Sequence, residues 1–197
     1  MKKLKNKPFH RLLRLIIAVQ CFGLLSSCLS EIETPEEIHQ KELKKIEEYL
    51  DDHSIDRVSE YRDEKSSIII FWESISESGI NPEKGDSIKV DYTGSLLDET
   101  VFDTSNEEVA KEEGIYNSNR NYAPLHLKFL GDGQNDRLVS GFEFALSKME
   151  KGDVAKVFIP SIWGYGSRDL GVIPPHSVLI FDVHLLEVKI NEEDTNE

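Results

Sequence analysis

The chain has 197 residues, enough for one ordinary domain with a tail at each end. Acidic residues outnumber basic ones by 37 to 23, which gives a formal net charge of −14. Because so acidic a chain repels nucleic acid and anionic lipid headgroups, the composition excludes nucleic acid as a partner and surface charge as a means of membrane attachment.

The first 27 residues have the pattern of a bacterial export signal. Residues 1–14 are basic and contain no acid, residues 15–25 form an apolar run, and small residues follow just before Cys28. The apolar run is too short to span a membrane as a mature anchor. The segment carries six Lys and Arg residues, so its removal would take the net charge from −14 to −20.

The residues that end this segment, Leu25-Ser26-Ser27-Cys28, resemble the lipobox of bacterial lipoproteins. The resemblance implies cleavage before Cys28 and attachment of lipid, with palmitate among the acyl chains, to its thiol and amine. The alternative is an ordinary secretory signal with an incidental cysteine. Cys21 lies inside the removed segment, so the mature chain would have no partner for an intramolecular disulfide. The resemblance therefore predicts a lipid-anchored protein of the cell envelope, with the outer membrane slightly favoured because Leu29 stands where inner-membrane lipoproteins have aspartate.

Residues 28–65 are charged and poor in aromatic side chains, which predicts a lipidated tether. Within it, Thr34 as N-cap, Pro35 at the first helical position and Glu37 as the third residue form a capping box. A narrow apolar stripe follows and predicts a short amphipathic helix; its residues are Ile38, Leu43, Ile46 and Leu50. A helix that dimerises is the alternative interpretation.

Residues 66–190 read as one domain, and residues 191–197 as an acidic tail. Strands are predicted near 66–74, 87–94, 154–159 and 178–188, and short helices over 105–114 and 141–149. The 105–114 helix has Ser105 and Glu108 as its predicted capping box and Gly114 as its end. Strands outnumber helices and no βαβ alternation is visible, so the pattern predicts an α+β fold with an antiparallel sheet over one helix.

The domain contains none of the common catalytic motifs. The sequence has no phosphate-cradling glycine loop, no G-x-S-x-G elbow and no H-E-x-x-H, and its six histidines are scattered. We therefore expect no metal and no cofactor. What recurs instead is a set of aromatic residues next to turns, which are either core or pocket residues: Tyr92, Phe102, Phe142, Tyr165 and Phe181.

Three segments carry a family resemblance: VDYTGSLLDETVFDTS, GFEFALSKMEKGDVAKVFIP and YGSRDLGVIPPHSVLIFDVHLL. In order, spacing and residue type they closely resemble the FKBP-type peptidyl-prolyl cis-trans isomerases (rotamases), which bind tacrolimus and rapamycin. The resemblance covers about residues 85–188. It implies a five- or six-stranded antiparallel sheet wrapped around the 141–149 helix, here with an additional inserted helix, and a pocket between sheet and helix.

The resemblance also assigns site residues by position. It implies catalytic roles for Tyr92, Phe102, Asp103, Tyr165 and Phe181, and substrate-binding roles for Leu138, Val139, Phe142 and Ile173. In the family, the backbone N–H at the position of Val139 and the hydroxyl at that of Tyr165 bond the carbonyls of the ligand. Pro174 and Pro175 are expected to stiffen the loop that carries Ile173 as one pocket wall.

Two departures from the family pattern leave a second function open. Phe142 stands where the family most often has tryptophan, and the segment 105–127 is an insertion that leaves the next pocket residue ambiguous between His126 and Leu127. The main prediction is a prolyl isomerase that assists the folding of exported proteins by acting on proline-containing polypeptides. The alternative is a catalytically weak or inactive FKBP domain that serves as a chaperone or scaffold in an envelope complex.

Overall fold

The computed structural model describes residues 33–131, 133, 135 and 137–191. The predicted export signal, the lipid attachment site Cys28 and residues 192–197 of the predicted tail lie outside this range. The described residues from Thr34 onward belong to one compact unit.

The described part of the chain forms three α-helices, seven strands and a 3-10 turn. In chain order these are α1 (Pro35–Asp52), β1 (Ser59–Arg62), β2 (Ile69–Ser74), β3 (Ser87–Leu96), β4 (Val101–Thr104), α2 (Glu107–Glu112), β5 (Leu125–Lys128), α3 (Ser140–Leu146), β6 (Val154–Ile159), the 3-10 turn (Ser161–Trp163) and β7 (Leu179–Lys189).

The strands form one antiparallel sheet in the order β1-β2-β6-β7-β3-β4, with β5 also paired to β3. β7 pairs along the whole of one edge of β3. The other edge is shared, because β4 pairs with residues 93–95 and β5 with residues 87–90. The chain therefore leaves this edge after Thr104 and rejoins it at Leu125, and the inserted segment lies between.

The predicted α+β class and antiparallel sheet are confirmed, but the expected count of five or six strands is too low. β1, β4 and β5 have four residues each, the shortest length at which an alternating pattern can indicate a strand, so they are easily overlooked. The long strands β6 and β7 lie within a residue of their predicted bounds.

Both faces of the central strands are buried. In β2 and the residue before it, Ile68 and Ile70 belong to the core cluster beneath α3, whereas Ile69 and Phe71 belong to a second cluster beneath α1. β6 and β7 alternate in the same way. A sheet covered on both faces needs apolar residues at successive positions, which explains the continuous run Ile68-Ile69-Ile70-Phe71.

Helix α1 covers the outer face of the sheet. Thr34 caps it with the predicted capping box, and Ile46, only 1% exposed, packs into the second cluster. The prediction of a tether over residues 28–65 needs correction from Thr34 onward, since α1 and β1 are part of the domain. The apolar stripe is buried against the sheet because that face would otherwise expose Phe71 and Phe158.

Helix α2 begins one residue later than expected. Its N-cap is Asn106, whose side chain accepts from the backbone N–H groups of Glu108 and Val109. Ser105 cannot act as the predicted cap because its hydroxyl already bonds Asp91 and the backbone of Tyr92. The helix ends as predicted at Gly114, which has φ +71° and closes a Schellman motif.

Candidate active site

Four aromatic rings from four elements meet between the sheet and α3. Phe142 lies in the first turn of α3, Phe181 on β7, Tyr92 on β3 and Phe102 on β4. The Phe142 and Phe181 ring centroids are 4.7 Å apart, and the Phe102 ring meets that of Phe181 edge-on at 5.7 Å. Tyr92 contacts Phe142 and Phe181 at 6.0 and 6.3 Å. These tilted and edge-on contacts of four rings form an apolar cage.

Gly94 makes room for the cage. A Cβ atom at this position would lie 2.6 Å from the ring of Phe102 and 2.9 Å from that of Phe181. Both distances are shorter than any van der Waals contact, so a side chain here would displace the two rings. The glycine of the Tyr-Thr-Gly motif is therefore a packing requirement of the pocket.

The rim of the cage carries a polar network. The Tyr92 hydroxyl donates to Oδ2 of Asp103 over 2.7 Å. Arg120, from the inserted segment, forms an ion pair with Asp103 and lies 3.3 Å from the Tyr92 hydroxyl. Burial and the Asp103 carboxylate raise the pKa of Tyr92 to about 12, so its hydroxyl stays protonated.

Two hydrogen-bond donors at the pocket have no protein acceptor among the described residues. Val139 is the N-cap of α3, has extended backbone and lines the cavity. Tyr165 lines the same cavity. Burial, together with the charge of Asp103, raises the pKa of the Tyr165 hydroxyl, which keeps it a donor. The site can therefore hold two carbonyl oxygens.

The residues around this cavity include eight of the nine that the sequence predicts. Counting the space open to solvent, its volume is about 360 Å³, and its lining consists of Tyr92, Phe102, Asp103, Leu125, Arg137, Leu138, Val139, Phe142, Tyr165 and Phe181. Ile173 is not in the lining. It is 5% exposed and lies in the core cluster that also contains Phe142 and Phe181, so it supports the cage from behind.

Sequence reasoning missed Leu125, Arg137 and Arg120. The ambiguous pocket position, assigned to His126 or Leu127, is occupied by Leu125. In β5 the side chain of His126 points away and bonds the Ser87 hydroxyl, while Leu127 is buried in the core. The alternation Leu-His-Leu-Lys is the signal that could have placed Leu125 and Leu127 on the inner face.

The loop that carries Tyr165 is tied to α1. Ser161, at the start of the 3-10 turn, donates its backbone N–H and its hydroxyl to the two carboxylate oxygens of Glu42, at 2.8 and 2.5 Å. Glu42 is only 2% exposed. Further along, the His176 N–H bonds the carbonyl of Gly166 at 2.8 Å, which closes the loop just after Pro174 and Pro175. The loop is thus fixed at both ends.

The described ranges contain neither a metal cluster nor a membrane-spanning helix. No group of three or more His, Cys, Asp or Glu side chains there could hold a metal ion. Nor does that part of the chain contain a helix long and apolar enough to cross a membrane.

Comparison with known proteins decides the family. The sequence profile of the family described as FKBP-type peptidyl-prolyl cis-trans isomerase matches residues 78–186, which contain the whole cage. The chain belongs to the FKBP-type peptidyl-prolyl cis-trans isomerase family.

Three relatives show how far the likeness extends. An FK506-binding protein of Neisseria meningitidis is 40% identical over 124 residues, 62% of this chain and 96% of that protein. A short-type peptidyl-prolyl cis-trans isomerase of Methanocaldococcus jannaschii is 47% identical over 44% of this chain and 52% of its own length. The outer membrane protein MIP of Legionella longbeachae is 34% identical over 57% of this chain and 40% of its own length. The chain thus spans about half the length of two of these relatives.

The fold of this FKBP-family chain is also found in a solved structure. FkpA from Escherichia coli superposes with a TM-score of 0.55 over 95% of this chain and 75% of that one. The two are 22% identical, so this likeness concerns the fold.

Proposed function

We propose that this protein is a peptidyl-prolyl cis-trans isomerase that acts on proline-containing polypeptides. The observation that carries the proposal is the cage of Tyr92, Phe102, Phe142 and Phe181 with two available donors beside it, the Val139 N–H and the Tyr165 hydroxyl. We assign the proline ring to the cage and the neighbouring carbonyls to the donors. Asp103 holds the Tyr92 hydroxyl in place and completes the polar rim.

This arrangement suits the chemistry of X–Pro isomerisation. Rotation about the bond must break amide resonance against a barrier of ~18–20 kcal/mol. The twisted amide has lost its charge-separated resonance form and is less polar than the planar one, so a dry aromatic cavity favours it. Binding the twisted state more tightly than either planar state lowers the barrier without a nucleophile or a metal.

Two-dimensional exchange spectroscopy on a short X–Pro peptide tests the proposal. We expect the wild type to speed cis/trans exchange above the uncatalysed rate. Tyr165→Phe removes a single donor and keeps the ring, so roughly 0.5–1.5 kcal/mol of stabilisation, or a two- to tenfold loss in kcat/KM, should follow. An unchanged kcat/KM in Tyr165→Phe would refute the assigned role of that hydroxyl.

We further propose that the protein acts on exported proteins at the cell envelope, anchored by lipid on Cys28. The lipobox-like residues 25–28 support this, as does the name of the Legionella relative, an outer membrane protein. In this proposal residues 1–27 are removed and the residues before Thr34 connect the lipid to the folded domain.

The anchor has its own test. Cys28→Ser removes the thiol that would carry lipid, so the precursor should stay uncleaved and should not partition into detergent. The measurement is incorporation of labelled palmitate, with wild type as the positive control and Cys21→Ser as the matched cysteine control. Palmitate incorporation by Cys28→Ser at the wild-type level would show that Cys28 is not the residue that carries the lipid.

A second candidate, a binding or chaperone domain with little turnover, is favoured by Phe142. The phenyl ring fills less of the pocket floor than the family's indole would, which leaves space under a bound proline. In both candidates the cage is expected to bind tacrolimus or rapamycin. The two differ in turnover alone, so the exchange experiment separates them.

A further inference from the structure

Arginine side chains are concentrated around the pocket of this acidic chain. Arg137 is part of the cavity lining, Arg120 bonds Asp103 on the rim, and the guanidinium of Arg168 lies 5.3 Å from the centre of the Tyr165 ring. The described residues contain five arginines, so three of them are here. The other two, Arg57 and Arg62, lie over the Phe71 ring in the second cluster.

Within the described pocket lining, one carboxylate stands against the charges of these three side chains. Asp103 is the one carboxylate in the described lining, and it is paired with Arg120. Arg137 donates to the backbone carbonyl of His126 at 3.2 Å, and Arg168 to that of Tyr165 at 3.2 Å. Among the described residues neither makes an ion pair with a carboxylate. The rim therefore carries positive charge that a ligand can neutralise.

The overall charge of −14 does not cancel this local effect. At physiological ionic strength the Debye length is about 8 Å, so a ligand atom at the rim responds mainly to the charges beside it. A guanidinium is also a directional partner, since its donors match the two oxygens of a carboxylate. A single carboxylate at the pocket rim is thus attracted by the nearby guanidinium groups, although a polyanion would be repelled by the rest of the molecule.

We propose that Arg137 and Arg168 make the enzyme prefer substrates with an aspartate or glutamate adjacent to the isomerised proline. The inference rests on the proposed isomerase function and names the substrate class of the same site. Arg137 immediately precedes Leu138 and Val139, so a peptide whose carbonyl bonds the Val139 N–H passes beside the Arg137 guanidinium. Arg168 flanks the other proposed donor, Tyr165. A residue next to the proline is therefore close to one cation or the other.

The test compares peptides that differ by a single charge. With the full-length chain, kcat/KM is measured by exchange spectroscopy for Ala-Glu-Pro-Phe and Ala-Gln-Pro-Phe, and for Ala-Pro-Glu-Phe and Ala-Pro-Gln-Phe. For an exposed ion pair we expect Glu to exceed Gln about two- to fivefold in one of the two pairs at low salt. In 1 M NaCl, where the Debye length is about 3 Å, the ratio should fall toward one.

Charge-removing variants identify the source of the preference. Arg137→Gln or Arg168→Gln should bring the Glu/Gln ratio to about one, and because the ratio compares two peptides on the same variant, a general change in turnover cancels. Arg57→Gln, which removes the same charge far from the pocket, should keep the ratio. A ratio of one in wild type at low salt in both pairs, or a ratio unchanged when both rim arginines are replaced, overturns the proposal.

Failure of the proposal is separable from failure of the proposed function. Turnover of the Gln peptides tests isomerase activity alone. Peptide affinities measured by NMR titration on the same four peptides test the preference whether or not turnover is seen. Equal affinities for Glu and Gln peptides at low salt, together with no turnover, would refute both.

Discussion

At the scale of single residues, the site depends on residues that position the pocket side chains. The Tyr92 hydroxyl is an example, because it is bonded to Asp103 and approached by Arg120. Burial and the Asp103 carboxylate disfavour the phenolate, which raises the pKa of Tyr92 to about 12. Gly94 contributes by having no side chain, because a Cβ atom there would displace the rings of Phe102 and Phe181.

The raised pKa of Tyr92 predicts a change of stability in alkali. The folded state holds this proton up to a pH near 12, whereas the unfolded chain releases it near 10. The stabilisation is therefore fully present below pH 10 and is lost as the pH rises from about 10 to 12. Tyr92→Phe lacks the group, so the stability difference between wild type and variant should shrink across this window.

Urea denaturation of both proteins at pH 8, 10, 11 and 12 measures that difference. Tyr116→Phe is the matched control because its ring is exposed, and it should follow wild type throughout. A wild-type advantage over Tyr92→Phe that stays constant from pH 8 to 12 would contradict the prediction.

The site residues that the sequence predicted are those inside short motifs. Tyr92, Phe102 and Phe181 each sit in a segment whose neighbours fix its strand and face, and the structure brings them together. Arg120 and Arg137 could not be predicted in this way. Arg120 reaches Asp103 only because of the path that the inserted segment takes between β4 and β5, and a path of that length has no repeating pattern.

At the scale of elements, the capping box and the apolar stripe predict the helix α1, but they do not show which surface the helix covers. The uninterrupted run Ile68-Ile69-Ile70-Phe71 is the missed signal, because a strand exposed on one face would alternate with polar residues. A strand buried on both faces requires a second cover, and α1 is the amphipathic helix available.

Helix α1 also contacts the loop that carries Tyr165, which leads to a prediction. Glu42→Gln removes the carboxylate charge, so the two charge-assisted hydrogen bonds to the N–H and hydroxyl of Ser161 become weaker neutral ones. We expect a stability loss of about 1–3 kcal/mol and a lower kcat/KM, because the 3-10 turn that leads into Tyr165 loses its support. Glu48→Gln, on the exposed side of α1, is the matched control.

A double-mutant cycle separates positioning from general destabilisation. If Glu42 acts through Tyr165, Glu42→Gln should lower kcat/KM in the wild-type background and have little further effect in Tyr165→Phe. Equal fractional losses in the two backgrounds, with the proteins shown to be folded at the assay temperature, would mean that Glu42 contributes stability alone.

At the scale of the whole molecule, the domain is a sheet with α1 on one face and α3 on the other. The pocket lies between the sheet and α3. The α3 side contains the family's cage, whereas α1 and the inserted segment meet that cage from outside, through Glu42 and Arg120. Glu42 supports the turn that leads into Tyr165, and Arg120 pairs with Asp103 on the pocket rim. Both contacts therefore bear on the residues that surround the cage.

In the function that we propose, this cage catalyses prolyl isomerisation even with Phe142 at its floor. The most direct measurement is the cis/trans exchange rate of one X–Pro peptide with wild type and Phe142→Trp at equal concentration. We predict exchange above the uncatalysed rate for wild type and a higher rate for Phe142→Trp, provided that a stability measurement shows the larger ring to be accepted. Exchange equal to the uncatalysed rate with folded wild-type protein, on every X–Pro peptide of a panel, would contradict the account and leave the binding function in its place.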